Sequence, residues 1–206
     1  MREDTCPNLE EELRLCAAGH RRIAGVDEAG RGAWAGPVCA VAVMLPLDRV
    51  DLLQVLDGVC DSKQLSPARR EALLPVIQHV AEAIGIGWAG PAEVDALGIA
   101  AATRLAMARA VEGLNGRADA LLIDYVRLPE VSLPQHSLPK ADVRCLSVAA
   151  ASIVAKVSRD RLMVALDGEW PGYGFARHKG YGTRAHRRVL ESLGPSLMHL
   201  VSWKPV

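Results

Sequence analysis

Apolar and polar positions change period several times along the chain, which predicts short strands interleaved with helices. Residues 8–18 carry apolar positions at helical spacing, with Asn8 placed to cap the start and Gly19 to stop it. Ile23-Ala24-Gly25-Val26 is an apolar run and predicts a strand over 21–27. Residues 37–45 are almost wholly apolar and predict a second strand, and the short Gly/Pro link between the two favours antiparallel pairing. Asp61 to Leu65 reads as a loop. Ser66-Pro67 then opens a helix, an N-cap followed by proline in the first turn, running to about His79 with Pro75 as a possible kink. A third strand falls at 82–89, and a helical stretch at 91–114 breaks near Gly98. Residues 119–124 predict a buried strand that ends in an acid, and 127–140 a Pro- and Leu-rich loop with room for a short strand. A long helix covers 145–166, its Ala/Ser-rich part, Ala149 to Ala155, suited to close packing on a sheet. Gly172 to Gly182 is a loop of glycine, aromatic and basic residues, and Thr183 caps a last helix to Leu193. This order predicts an α/β fold, a mixed sheet with helices on both faces.

The chain has 206 residues, enough for one domain or one domain with a small appendage, and half of them are hydrophobic. The 24 basic and 24 acidic residues balance, so bulk charge does not point to nucleic acid. Lys156 to Arg188 departs from that balance, with eight Lys/Arg against three acids, net +5, which fits a surface that tracks phosphates. Five cysteines without a C-x-x-C pair argue against a disulfide framework or a zinc site and for a reducing, cytoplasmic setting. The acidic N-terminus does not read as a signal peptide, and no apolar stretch is long enough for a membrane span. His79, His136 and His199 are expected on the surface or in partial burial, without a catalytic role, and His178 either contacts phosphate or orders its loop.

The chemistry is concentrated in the acids. Asp27-Glu28 closes the first strand and Gly30-Arg31-Gly32 follows at once. Ionised carboxylates are costly to bury unless they are paired or bind a metal. The glycines let a phosphate approach, and Arg31 can hold it. Asp124 ends its strand as Asp27 ends the first, so neighbouring parallel strands would bring the two together at the carboxyl ends, where sites in such sheets gather. Asp142 precedes the long helix, and taken alone it reads as a helix cap. Four carboxylates at one place repel one another, and divalent cations relieve that repulsion. Hard oxygen donors without nearby histidines favour Mg²⁺ or Mn²⁺ over Zn²⁺, and two such ions about 3.5–4 Å apart support in-line displacement at phosphorus.

These residues together resemble a known family. Gly25-Val26-Asp27-Glu28-Ala29-Gly30-Arg31-Gly32, followed by Ala35-Gly36-Pro37-Val38, resembles the opening motif of ribonuclease HII. Asp61 to Ser66, Leu122-Ile123-Asp124, and Lys140-Ala141-Asp142 with Ser147 to Lys156 and Arg159-Asp160-Arg161 resemble its later blocks. Tyr173-Gly174-Phe175 and His178 to Thr183 resemble its late tyrosine block. The resemblance implies a ribonuclease H-like fold with a helical C-terminal portion. It divides the chain into an N-terminal helical extension (1–19), a catalytic domain (20–168) and a substrate-binding helical portion (169–206). It also implies an endonuclease that cuts RNA in RNA–DNA hybrids and cuts 5′ of single ribonucleotides in duplex DNA, leaving 3′-hydroxyl and 5′-phosphate ends. Asp27, Glu28, Asp124 and Asp142 match the catalytic, metal-holding acids, with two ions, Mg²⁺ or Mn²⁺, in turnover. Gly30, Arg31, Gly32 and Tyr181 match the parts that recognise the RNA–DNA junction, and Lys63 matches a basic position suited to a backbone phosphate. Nineteen leading residues are too few for the N-terminal domain of a ribonuclease HIII. Tyr125, after the third acid, departs from the family pattern. A monomer is expected. The apolar tail, Leu200 to Val206, either packs on the body, which is favoured, or docks on a partner such as a sliding clamp. Two rival readings are another two-metal nuclease of related fold, such as a junction resolvase or an exonuclease, and a hybrid-binding protein without catalysis.

Overall fold

The structure, a computed structural model, describes residues 6–202. Five strands form one sheet: β1 (Ile23–Ala29), β2 (Val38–Met44), β3 (Ala83–Ala89), β4 (Ala120–Asp124) and β5 (Gln135–Leu138). Their order across the sheet is β3-β2-β1-β4-β5. β1 pairs antiparallel with β2 and parallel with β4. Nine helices lie among the described residues: α1 (Glu10–Ala17), α2 (Leu52–Val55), α3 (Pro67–Val80), α4 (Pro91–Leu97), α5 (Ile99–Glu112), α6 (Ala141–Arg144), α7 (Leu146–Glu169), α8 (Phe175–His178) and α9 (Arg184–Leu193). A single turn of 3₁₀ helix, Ser62–Gln64, replaces the expected loop.

The central strands carry no polar face, because both faces are covered. Cys39, Val41 and Val43 of β2 pack with α3 and α7, while Ala40, Ala42 and Met44 pack with α5 on the other side. Small residues set the spacing. A Cβ on Gly25 would stand 2.3 Å from the Ser147 backbone carbon, so α7 lies directly on β1. Gly85 and Gly87 of β3 admit the backbone of α5 in the same way: a Cβ on Gly85 would stand 2.0 Å from the Ala110 oxygen and one on Gly87 2.1 Å from the Ala106 oxygen. The Ala/Ser stretch of α7 is buried throughout, in keeping with close packing on the sheet.

Local signals hold where the capping chemistry is strong. The Ser66 hydroxyl accepts from Arg69 N at 3.2 Å and the Thr183 hydroxyl from His186 N at 3.1 Å. The helical stretch breaks at Gly98, which has φ +76°. Beyond α7 the chain folds back on that helix, and Phe175, Ala35, Met163 and Leu166 form a small core of their own. Leu200 is buried in the main core, and Asp95 accepts from Val201 N at 3.1 Å and Ser202 N at 3.0 Å. The tail therefore packs as favoured through Ser202, and its residues 203–206 lie outside the described ones. Among the described residues no helix is long and apolar enough to cross a membrane.

Candidate active site

The acids converge through strand pairing. Val26 of β1 pairs with Ile123 of β4, so Asp27 and Asp124 follow at one level on adjacent parallel strands. Adjacent strands lie about 4.8 Å apart, which brings the two carboxylates together at the carboxyl ends. The Oδ1 of Asp124 accepts from Ala141 N at 3.0 Å and so draws in the start of α6, which carries Asp142. Asp27 and Asp142 are each 5 % exposed, deep for ionisable groups, whereas Glu28 and Asp124 are half-buried. Burial raises the Asp27 carboxyl well above the carboxylate range, and the charges of Glu28 and Asp142 push it further. Burial also raises Glu28, against the opposing Arg31, and raises Asp124, with Asp142 adding to it.

Two side-chain cations meet this cluster. Lys63 Nζ stands 3.1 Å from Asp142 Oδ2 and 3.7 Å from Asp61 Oδ1. Arg31 NH1 stands 3.1 Å from Glu28 Oε1, so the arginine expected to grip phosphate is paired here with a site acid. Among the described residues no three acids, histidines or cysteines are drawn in tightly enough to form a finished cation cage. The donor set nevertheless fits a divalent cation. It consists of carboxylate oxygens, and burial, added to by their mutual charge, disfavours ionisation at Asp27 and Asp124 unless positive charge is supplied.

The glycine segment and the late tyrosine, far apart in sequence, form one bridge. Ala33 and Tyr181 pair antiparallel, and Trp34 N donates to the Gly180 oxygen at 2.8 Å. Gly30 has φ +107°, a conformation that favours glycine, and Gly32 lies exposed on the turn. Tyr181 is half-buried, with Lys156 Nζ 4.9 Å and the Arg159 guanidinium carbon 5.2 Å from its ring centroid. A groove of about 720 Å³ opens beside it, lined by Arg70, Lys156, Arg161, Arg177 and Lys179 among others. Its positive charge is partly spent on Glu71, which pairs with Arg161 at 2.5 Å, and on Asp160, which pairs with Lys156 at 2.7 Å.

Several expectations change. Arg159 does not belong to a phosphate-tracking surface: it is fully buried and donates only to backbone carbonyls. His199 is 2 % exposed, fully enclosed rather than on the surface or partly buried. Its Nε2 lies 2.9 Å from His186 Nε2, and His186 stacks on His178 at 4.1 Å between centroids. Burial lowers all three imidazoles, His186 to about 4. His178 orders its loop, with Nε2 at 2.8 Å from the Tyr173 oxygen and Nδ1 accepting from Gly180 N. Tyr125, which follows Asp124, is 78 % exposed and so does not pack beneath the site. Backbone strain marks the site too. Tyr125 (φ +57°), Lys140 (φ +56°) and Lys179 (φ +54°) are left-handed residues one or two positions from Asp124, Asp142 and Tyr181.

Residues 24–206 match the family model described as Ribonuclease HII. A "Ribonuclease HII" from Roseiflexus castenholzii is 52% identical over 206 residues, covering 100% of this chain and 92% of that protein. Among solved structures, the ribonuclease H2 from Pyrococcus horikoshii OT3 superposes with a TM-score of 0.74 at 25% identity, covering 89% of this chain and 94% of that one. The RNase HII of a PCNA:RNase HII complex from Archaeoglobus fulgidus gives the same TM-score at 29% identity, covering 89% and 95%.

Proposed function

The chain belongs to the ribonuclease HII family, and from that premise we propose how its residues divide the work. It is an endoribonuclease that acts on RNA–DNA hybrids and on ribonucleotides embedded in duplex DNA. The family and its relatives set aside the resolvase, exonuclease and non-catalytic readings.

Asp27, Glu28, Asp124 and Asp142 hold two divalent cations, Mg²⁺ or Mn²⁺. When bound, such ions supply a Lewis acid and an activated water for in-line displacement at phosphorus. The remaining steps belong to the chain's own groups. Lys63 sits where its ammonium neutralises Asp142 and stands ready to accept a backbone phosphate. Arg31, whose side chain is 46 % exposed against 13 % for Glu28, exchanges Glu28 for a phosphate as substrate arrives, and Glu28 is then neutralised in its place by the cations held among the acids. The backbone of Gly30 and Gly32, without side chains in the way, reaches the ribose 2′-hydroxyl, the group that distinguishes RNA from DNA. The ring of Tyr181 stacks on the neighbouring deoxyribose, where no 2′-hydroxyl obstructs it. The attack breaks the O3′–P bond on the 5′ side of the ribonucleotide, leaving a 3′-hydroxyl and a 5′-phosphate. The hydroxyl is thus read rather than consumed.

One observation carries this division: the Ala33–Tyr181 bridge joins the glycine turn, which directly follows Asp27-Glu28, to the tyrosine loop. The test is a duplex holding one ribonucleotide, with an all-DNA duplex as control and the product ends mapped. Cleavage of the control, or 2′,3′-cyclic phosphate ends, would refute it. A sliding-clamp contact is a further proposal, supported by the PCNA complex of the Archaeoglobus fulgidus relative. Since Leu200 is committed to the core, that contact falls on residues after Ser202. A chain ending at Ser202 that still binds a clamp would exclude it.

A further inference from the structure

Arg159 is a buried guanidinium that none of the chemistry above employs. It lies on α7, fully buried, and among the described residues it bonds no carboxylate. Removing such a charge from water is costly, and neutral carbonyls alone return only part of the cost. Its three carbonyls are far from random. Nε donates to Pro37 O at 2.8 Å and NH2 to Ala35 O at 3.0 Å, both on the segment that leaves the glycine turn. NH1 donates to Lys179 O at 2.9 Å, on the loop that carries Tyr181. Lys179 is left-handed, so its backbone is held in a conformation that a non-glycine residue rarely adopts unaided. The same guanidinium lies against the Tyr181 ring at 5.2 Å, and a Cβ on Gly30 would stand 2.3 Å from its Nε. One planar fork therefore touches the turn that would reach the ribose, the segment behind it and the ring that would meet the deoxyribose.

We propose that Arg159 is a positioning residue for junction recognition: it fixes the distance and angle between the Gly30–Gly32 turn and Tyr181, and so sets the preference for an RNA–DNA step over a continuous hybrid. The inference rests on Tyr181 reading the DNA side of that step. A fork is required because its donors diverge in one plane toward carbonyls on two separate loops; a lysine ammonium, a point donor on a flexible stem, cannot span them. Charge matters as well, since it holds the guanidinium on the face of the ring.

The experiment compares kcat/KM on a duplex with one ribonucleotide to kcat/KM on a long hybrid, for wild type, Tyr181→Ala, Arg159→Lys, Arg159→Met and the double variant Tyr181→Ala/Arg159→Lys. Both Arg159 variants should lower the ratio of the two by about tenfold, the loss falling on kcat more than KM, as expected when reacting groups are misplaced rather than unbound. Tyr181→Ala should lower the same ratio, and the double variant should fall no further, because the arginine acts through the ring. A ratio lowered by Tyr181→Ala but unchanged in both Arg159 variants would overturn this inference alone. Multiplicative losses in the double variant, or a wild-type ratio in Arg159→Lys, would also overturn it. An unchanged ratio in Tyr181→Ala would sink the reading of Tyr181 itself, and this inference with it. Thermal unfolding is measured alongside. Failure of both Arg159 variants to fold at the assay temperature would assign the residue to the fold and refute the positioning role.

Discussion

Replacing Glu12 tests whether the N-terminal helix fastens the helix that backs the active site. Glu12 on α1 is fully buried, and its Oε1 accepts from Ser147 N at 2.9 Å and from the Ser147 hydroxyl at 2.7 Å. Ser147 lies in the first turn of α7, where backbone N–H groups have no partner within the helix. Glu12→Ala leaves both donors buried without an acceptor, at about 1–3 kcal/mol each. The wild-type carboxylate carries a cost that offsets part of this. Its Oε2 has no partner among the described residues, and burial raises its pKa despite the Ser147 hydrogen bonds that oppose the shift. The net loss should be about 2–3 kcal/mol, a fall of about 5–10 °C in Tm for a chain of this size. Glu12→Gln keeps an acceptor and removes the charge, so at pH 7 it should lie within about 0.5 kcal/mol of wild type or above it. The pH dependence has a defined sign. Because the folded pKa is raised, the contribution of Glu12 is fully present below its unfolded value of 4.5 and is lost as pH rises through the folded value. The glutamine variant should therefore gain on wild type from about pH 4.5 upward. Urea unfolding of the three proteins across that range is the assay. A glutamine variant as damaged as the alanine variant at pH 7, or an alanine variant as stable as wild type, would refute the reasoning.

Asp27→Asn and Asp142→Asn should each lower turnover by about a thousandfold or more while leaving the fold and hybrid binding intact; wild-type activity in either variant, or in excess chelator, would contradict the carboxylate assignment. Gly25→Ala places a methyl 2.3 Å from the Ser147 backbone carbon and 2.4 Å from Val148 N, so α7 must lift from β1 beside Asp27. The expected cost is about 3 kcal/mol, at the upper end for overpacking because the obstacle is backbone, and unaltered urea unfolding would show that the contact is loose. His186 has a depressed folded pKa of about 4, so its contribution is complete above its unfolded value of 6.5 and is lost as pH falls toward 4. The stability difference between wild type and His186→Phe should shrink over that interval, and a constant difference would exclude the imidazole as its source.

The acids were legible because their signal is local. An apolar run that ends in a carboxylate, at 23–27 and again at 120–124, reports both the strand and the unusual cost at its end. Parallel pairing of those strands then brought Asp27 and Asp124 together as the pattern anticipated. Caps at Ser66 and Thr183 were legible for the same reason, since donor and acceptor lie three residues apart. Arg159 and Glu12 were not, because what makes each of them matter is far away in the chain. Arg159 meets Ala35 and Pro37 more than a hundred residues upstream, and Glu12 meets Ser147 across a similar distance. Read as a sequence, an arginine in a basic stretch is a surface charge, and a glutamate in an acidic helix is solvated. The fold reverses both by enclosing them, and a charge that folding encloses must be held by something or it destabilises the protein. In this molecule what holds them is three backbone carbonyls for the arginine, and a helix's first-turn amide together with a serine hydroxyl for the glutamate. Each adds directional bonds between elements that also pack through apolar contacts, which are non-directional and tolerate sliding. Hydrogen bonds to fixed carbonyls do not tolerate it. Apolar packing therefore assembles the sheet and its helices, and these buried polar ties, together with the backbone pairing of Trp34 with Gly180, hold the register in which acids, glycine turn and tyrosine face one substrate.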